Sequence, residues 1–163
     1  MIKNIWVISD THFGHKNIIK YSNRPFESVE VMDDTLVQNW NSVVKPNDIV
    51  YHLGDVYFRN PHHISRLNGE KHLILGNHDS GLDPNLFKNF RSIQLVKPFK
   101  KMGLIFSHIP LHPSQLIEHD GTQLFNIHGH IHEKPSPEGP YRNVSVEQIN
   151  YTPINIEELV NDR

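Results

Sequence analysis

His72-Leu73-Ile74-Leu75-Gly76-Asn77-His78-Asp79 (HLILGNHD) is the most telling stretch of the chain. Its first half is a short apolar run of the kind that forms a buried strand. Its second half packs an amide oxygen, an imidazole and a carboxylate into the turn that follows. An Asn-containing turn needs no histidine after it. His78 followed by Asp79 is, moreover, an arrangement in which a carboxylate can fix an imidazole's tautomer and hold its proton.

The same form recurs on both sides. Upstream, Ile2 to Ser9 (IKNIWVIS) runs into Asp10-Thr11-His12, and Ile49 to Leu53 runs into Gly54-Asp55. Downstream, Leu104 to Phe106 leads to Ser107-His108, and Leu124 to Ile127 leads to His128 and Gly129-His130-Ile131-His132. Strands that end on one edge of a sheet bring such residues together in space. Asp10 and His12 are two residues apart, as are His130 and His132, so in extended geometry each pair faces one side. Any one of these clusters alone reads as a strand-end turn or a structural histidine. Jointly they read as one metal site built from oxygens and imidazoles.

Between the first two apolar runs, Val29, Met32, Leu36, Val37, Trp40, Val43 and Val44 follow the spacing of an amphipathic helix, with Ser28 as N-cap. Lys45-Pro46 ends it, because proline disfavours helical geometry in the residue before it. Shorter helices are expected over Pro61 to Leu67, Pro84 to Phe90, Pro113 to His119 and Ile156 to Val160, and further strands over Ser92 to Val96 and Asn143 to Val146. Lys134 to Pro140 reads as an exposed loop. The pattern predicts a single α/β domain over residues 1–163.

Composition narrows the function. Sixteen Lys and Arg against 18 Asp and Glu give a formal charge of -2, without the electrostatic footprint of a protein that grips long nucleic acid. Cysteine is absent, which removes thiolate ligands and suits a reducing cytoplasm. Met1 to Ser9 holds too short an apolar run for a signal peptide or membrane span, so a cytoplasmic location is expected. Of the 13 histidines, His52, His62, His63, His72, His112, His119 and His128 are assigned structural or surface roles.

The ordered set Asp-x-His, Gly-Asp, Gly-Asn-His-Asp, His and Gly-His-x-His, spanning residues 10 to 132, resembles the calcineurin-like metallophosphoesterase superfamily. Asp10 to His15, Asn17-Ile18-Ile19 and Arg24-Pro25-Phe26 look like a compact bacterial or phage-type branch. The resemblance implies a two-sheet sandwich flanked by helices and a dinuclear centre. One divalent ion would be held by Asp10, His12, Asp55 and His132, the other by Asp55, Asn77, His108 and His130, with Asp55 bridging. Manganese is the expected ion, and the donor types also suit Fe, Ni, Co, Zn or Mg. Paired ions of this kind activate water and clamp phosphate oxygens, leaving His78 to protonate the leaving group and Asp79 to orient it. His15 and Arg24 are the candidates for substrate contact.

Gly54-Asp55 continues as Val56-Tyr57-Phe58-Arg59 and not as the Asp-Arg-Gly run of protein Ser/Thr phosphatases, which disfavours protein substrates. DNA-repair nucleases of the superfamily carry capping segments for which 163 residues leave no room. The expected substrate is a small or flexible phosphodiester of nucleotide type, with a general phosphomonoester as the alternative. The contrasting reading is a non-catalytic interaction scaffold. Such proteins tend to lack the cluster around His78, which this chain keeps.

Overall fold

The computed structural model describes residues 3–162. Two sheets lie face to face. The first has strand order β4-β3-β2-β1-β9, built from β1 (Ile5–Ile8), β2 (Ile49–His52), β3 (Glu70–Ile74), β4 (Ser92–Gln94) and β9 (Ile154–Asn155). β1 to β4 are mutually parallel and β9 is antiparallel to β1. The second has order β5-β6-β7-β8, from β5 (Val96–Phe99), β6 (Leu104–Ser107), β7 (Phe125–His128) and β8 (Tyr141–Asn143). Here β6, β7 and β8 are parallel and β5 is antiparallel. This is the sandwich that the resemblance implies.

A strand packed on both faces should be apolar at every residue, and β1 is. Val7 joins the layer between the sheets with Leu53, Ile74, Leu104, Phe106, Ile127 and Val144, whereas Ile8 points outward against the helices. Among the described residues five α-helices accompany the strands: α1 (Ile18–Tyr21), α2 (Val29–Val43), α3 (His62–Ser65), α4 (Pro84–Asn89) and, after the last strand, α5 (Ile156–Asn161). α2 lies on the outer face of the first sheet and buries Met32, Leu36, Val37 and Trp40 there. Its Ser28 cap accepts a hydrogen bond from Val31 N at 3.2 Å, and the chain is extended again by Val44. No helix among the described residues is long and apolar enough to cross a membrane.

Several expected elements differ. Ser92 to Val96 is not one strand: β4 ends at Gln94 and β5 begins at Val96, so Leu95 carries the chain from one sheet to the other. Proline at position 98 is tolerated because β5 is an edge strand. Pro113 to His119 is reduced to a three-residue 3-10 turn, Pro113–Gln115, so a loop around Leu111 and Leu116 covers the outer face of the second sheet. Asn143 is the last residue of β8, and Val146–Gln148 forms a 3-10 turn. Ile2, where the first strand was expected to start, lies outside the described residues.

The sheets are also tied at the carboxyl ends of their strands. Past β1 and β8 the chain makes a parallel bridge from Ser9 to Ser145, with Ser9 N donating to Val144 O at 3.0 Å and Val146 N to Ser9 O at 3.1 Å. Beside it His52 is fully buried. Its Nδ1 accepts from Gly54 N at 3.2 Å, which leaves Nε2 to donate to Thr11 Oγ1 at 2.9 Å. The bond from Gly54 N requires an unprotonated Nδ1 and hence a neutral ring, and burial lowers the His52 pKa from 6.5 to about 3. Its contribution to stability is therefore complete above pH 6.5 and is lost as the pH falls toward 3. Urea unfolding should show stability dropping on acidification to about pH 4, with this residue's share on the order of 3 kcal/mol. His52→Gln, which cannot take up the proton, should flatten that slope.

Candidate metal centre

Asp10 and Asp55 stand at the ends of adjacent parallel strands, and both are buried. Each has one oxygen tied to the scaffold. Asp10 Oδ2 accepts from His130 N and Ser145 Oγ, both at 2.9 Å, and Asp55 Oδ1 accepts from His78 N at 2.9 Å. Their other oxygens face imidazoles. Asp10 Oδ1 lies 3.9 Å from His12 Nε2 and 3.8 Å from His132 Nε2, while Asp55 Oδ2 lies 3.5 Å from both His12 Nε2 and His108 Nε2. On the far side, Asn77 Oδ1 is 2.9 Å from His108 Nε2 and from His130 Nδ1.

These residues form two groups able to hold a metal ion: Asp10, His12 and His132, and Asp55, His108 and His130. Asp10 Oδ1 and His12 Nε2 are buried without a hydrogen-bond partner, a costly condition that a cation between them would relieve. Oxygen and imidazole donors with no sulfur fit a divalent ion of borderline character.

Backbone strain marks the same places. Asp10, His12, Asp55, His130 and His132 have φ of 60°, 51°, 56°, 70° and 51°, in the left-handed region that non-glycine residues seldom occupy. The two i, i+2 pairs thus converge through alternate left-handed residues, whereas the sequence suggested extended chain. Two glycines let the backbone come this close. A Cβ at Gly129 would overlap Ser9 Oγ and Asp10 Oδ2, and one at Gly76 would overlap Asp55 Oδ1.

The field of the carboxylates is visible in the imidazoles. Burial pushes His12 down to about 2 despite the attraction of Asp55, which leaves its ring neutral with a free lone pair. Burial also disfavours charge on His108, but Asp55, Asp10 and the Leu53 carbonyl outweigh it and raise the ring to about 9. Asp55 is held below the usual carboxylate range: burial alone would raise it, and His108, the His78 N–H and His12 reverse the sign. His108 Nδ1 donates to Leu53 O at 2.7 Å, which directs Nε2 into the site.

Two expectations are corrected. Arg24 does not reach the rim. It is buried, with Nη2 donating to Asp10 O at 2.7 Å, Nη1 to Thr11 O at 3.0 Å and Nε to Glu147 Oε1 at 2.8 Å, so its donors hold the Asp10 turn from behind. The Asp79 carboxylate does not orient the His78 ring. It accepts from the N–H groups of Asp55, Gly76 and Val56 at 2.8 to 3.0 Å and clamps the two turns together. His15 does line an open cleft of about 390 Å³ with Tyr21, His78, His130 and His132, and its Nδ1 lies 3.3 Å from His12 Nδ1.

Glu147 and Ser145 were overlooked in the sequence. Glu147 Oε1 accepts from His132 Nδ1 at 3.1 Å and lies 2.8 Å from Arg24 Nη2, so an Arg24-Glu147-His132 chain orients the ring. This lowers the Glu147 pKa in spite of burial and raises that of His132. The spacing Ser145-x-Glu147 repeats the i, i+2 rhythm of the other clusters at the end of β8, a signal that was available.

A chain with this sandwich and these donors at its strand ends is a metal-dependent phosphoric ester hydrolase, and it belongs to the calcineurin-like phosphoesterase family, whose model matches residues 3–162. It is 41% identical over 172 aligned residues to an uncharacterized protein of Methanocaldococcus jannaschii, covering 98% of this chain and 90% of that one. The Gene 66 protein of Mycobacterium phage L5 is 41% identical over 85 residues, 48% of this chain and 41% of the phage protein. Among solved structures, a protein of unknown function from Aquifex aeolicus superimposes with a TM-score of 0.76 at 26% identity, covering 99% of this chain and all of that one.

Removing the carboxylate behind His132 should loosen one ion. With manganese as the probe ion in calorimetry, Glu147→Gln is expected to weaken binding at the Asp10, His12 and His132 group by about 10- to 100-fold.

Proposed function

We propose that the protein hydrolyses a small or flexible phosphodiester of nucleotide type at a dinuclear centre. The observation that carries this is the position of Asp55 Oδ2, 3.5 Å from His12 Nε2 in one group and 3.5 Å from His108 Nε2 in the other. A carboxylate oxygen so placed is suited to bridging. Asp10, His12, Asp55 and His132 would hold one ion, and Asp55, Asn77, His108 and His130 the second, with manganese the proposed metal. Such ions supply Lewis-acid activation of water and neutralise charge on the phosphoryl oxygens.

The protein's own groups do the rest. His78 is exposed, its ring centroid 5.6 Å from that of His12, and its backbone is anchored to Asp55. From there its imidazole can give a proton to the departing alkoxide. His15, on the same cleft, would touch the substrate, while Asp79 and Arg24 keep the turns in place. The modest size of the cleft and the net charge of -2 favour a small substrate over long nucleic acid.

The test pairs metal analysis with turnover. Manganese-loaded protein should hydrolyse bis-p-nitrophenyl phosphate faster than p-nitrophenyl phosphate, and the opposite order would make it a monoesterase. His78→Ala should keep its metal and lose about 10²- to 10⁴-fold in kcat. Absence of turnover on any model ester by the loaded protein would reject the reading.

A further inference from the structure

Two unlike surfaces flank the candidate centre. On the side of His12 and His132 lies the cleft described above, rich in imidazoles and bordered by Lys134. On the side of Asn77 and His108 lies a second groove of about 450 Å³, walled by Leu75, Leu95, Val96, Ile109 and Leu111. Leu95 is 71% exposed, Ile109 50% and Val96 39%, so three large apolar side chains stand open to water around one hollow. No lysine or arginine lines it, and the Asp79 carboxylate at its edge is already taken up by backbone N–H groups. The floor is formed by Asn77 and His108, whose donor atoms face the centre.

His78 lines the imidazole cleft and not the groove. A leaving group protonated by His78 must therefore depart on the cleft side. Whatever occupies the groove stays on phosphorus. We infer that the groove of Leu75, Leu95, Val96, Ile109 and Leu111 binds the retained arm of a phosphodiester, and that this arm is an aromatic or otherwise apolar group. In the hydrolysis, a water oxygen bonds to phosphorus and the P–O bond to the leaving arm breaks. That arm departs with the His78 proton, water's surplus proton returns to the imidazole through solvent, and the groove keeps the monoester product. The inference rests on the reading of the centre as a phosphodiesterase and adds which arm is recognised and by what chemistry.

Calorimetry on manganese-loaded protein tests it without turnover. Methyl phenyl phosphate should bind about tenfold more tightly than dimethyl phosphate, because one arm gains apolar burial. In Leu95→Asn/Ile109→Asn the ratio should fall to within about twofold. Kinetics give a second readout with one leaving group: bis-p-nitrophenyl phosphate should have a KM about fivefold or more below that of methyl p-nitrophenyl phosphate, with similar kcat. A binding ratio near one in the unmodified protein, or a ratio unchanged by the double substitution, overturns the inference. So does sedimentation showing a dimer that the same substitutions dissolve, which would assign the groove to a second copy of the chain. A persisting binding ratio with no turnover of either diester would support the groove while rejecting hydrolysis.

Discussion

Two buried carboxylates dominate this molecule. Burying an ionised group is costly unless charge and hydrogen bonds come to it, and Asp10 and Asp55 are buried side by side. The scaffold answers with one oxygen of each. Backbone N–H groups and Ser145 take Asp10 Oδ2 and Asp55 Oδ1, leaving the opposite oxygens turned toward three imidazoles, those of His12, His108 and His132. The short turns, the close-packed glycines and the left-handed residues follow from bringing those N–H groups and rings near enough.

That strain explains why the donors sit where they do. Each left-handed residue outside glycine costs of the order of 1 kcal/mol or more, and five of them lie among seven candidate ligands. Packing on both sides holds them: α2 presses on the first sheet from outside, and the layer between the sheets fixes the strands from within. Aspartate tolerates the left-handed conformation better than most residues, which suits the carboxylate positions.

Much of this was legible in the sequence because strand ends and ligand types are local. Apolar runs followed by polar turns announced β1, β2, β3, β6 and β7, and the donors that follow them do converge. What escaped was non-local. Arg24 is an ordinary rim candidate until Glu147, 123 residues away, is seen to hold it. Asp79 next to His78 suggested a pair, but three nearby N–H groups compete for its oxygens and prevail. Ser92 to Val96 reads as one β-rich segment, and only the two-layer arrangement shows that Leu95 belongs to neither sheet. The loop after Pro113 has helical spacing, yet the outer face of the second sheet is covered by its turn and isolated side chains.

The bridge from Ser9 to Ser145 has a further consequence, for biosynthesis. The hydroxyl that caps Asp10 lies 135 residues downstream of it, and the carboxylate that steadies Arg24 and His132 lies two residues later still. A chain emerging from the ribosome can pair β1 with β2 early, but the surroundings of the Asp10, His12 and His132 group are complete only once Glu147 has been synthesised. A nascent chain that stalls short of that point has Asp10, His12 and His132 without the Ser145 and Glu147 contacts that fix them.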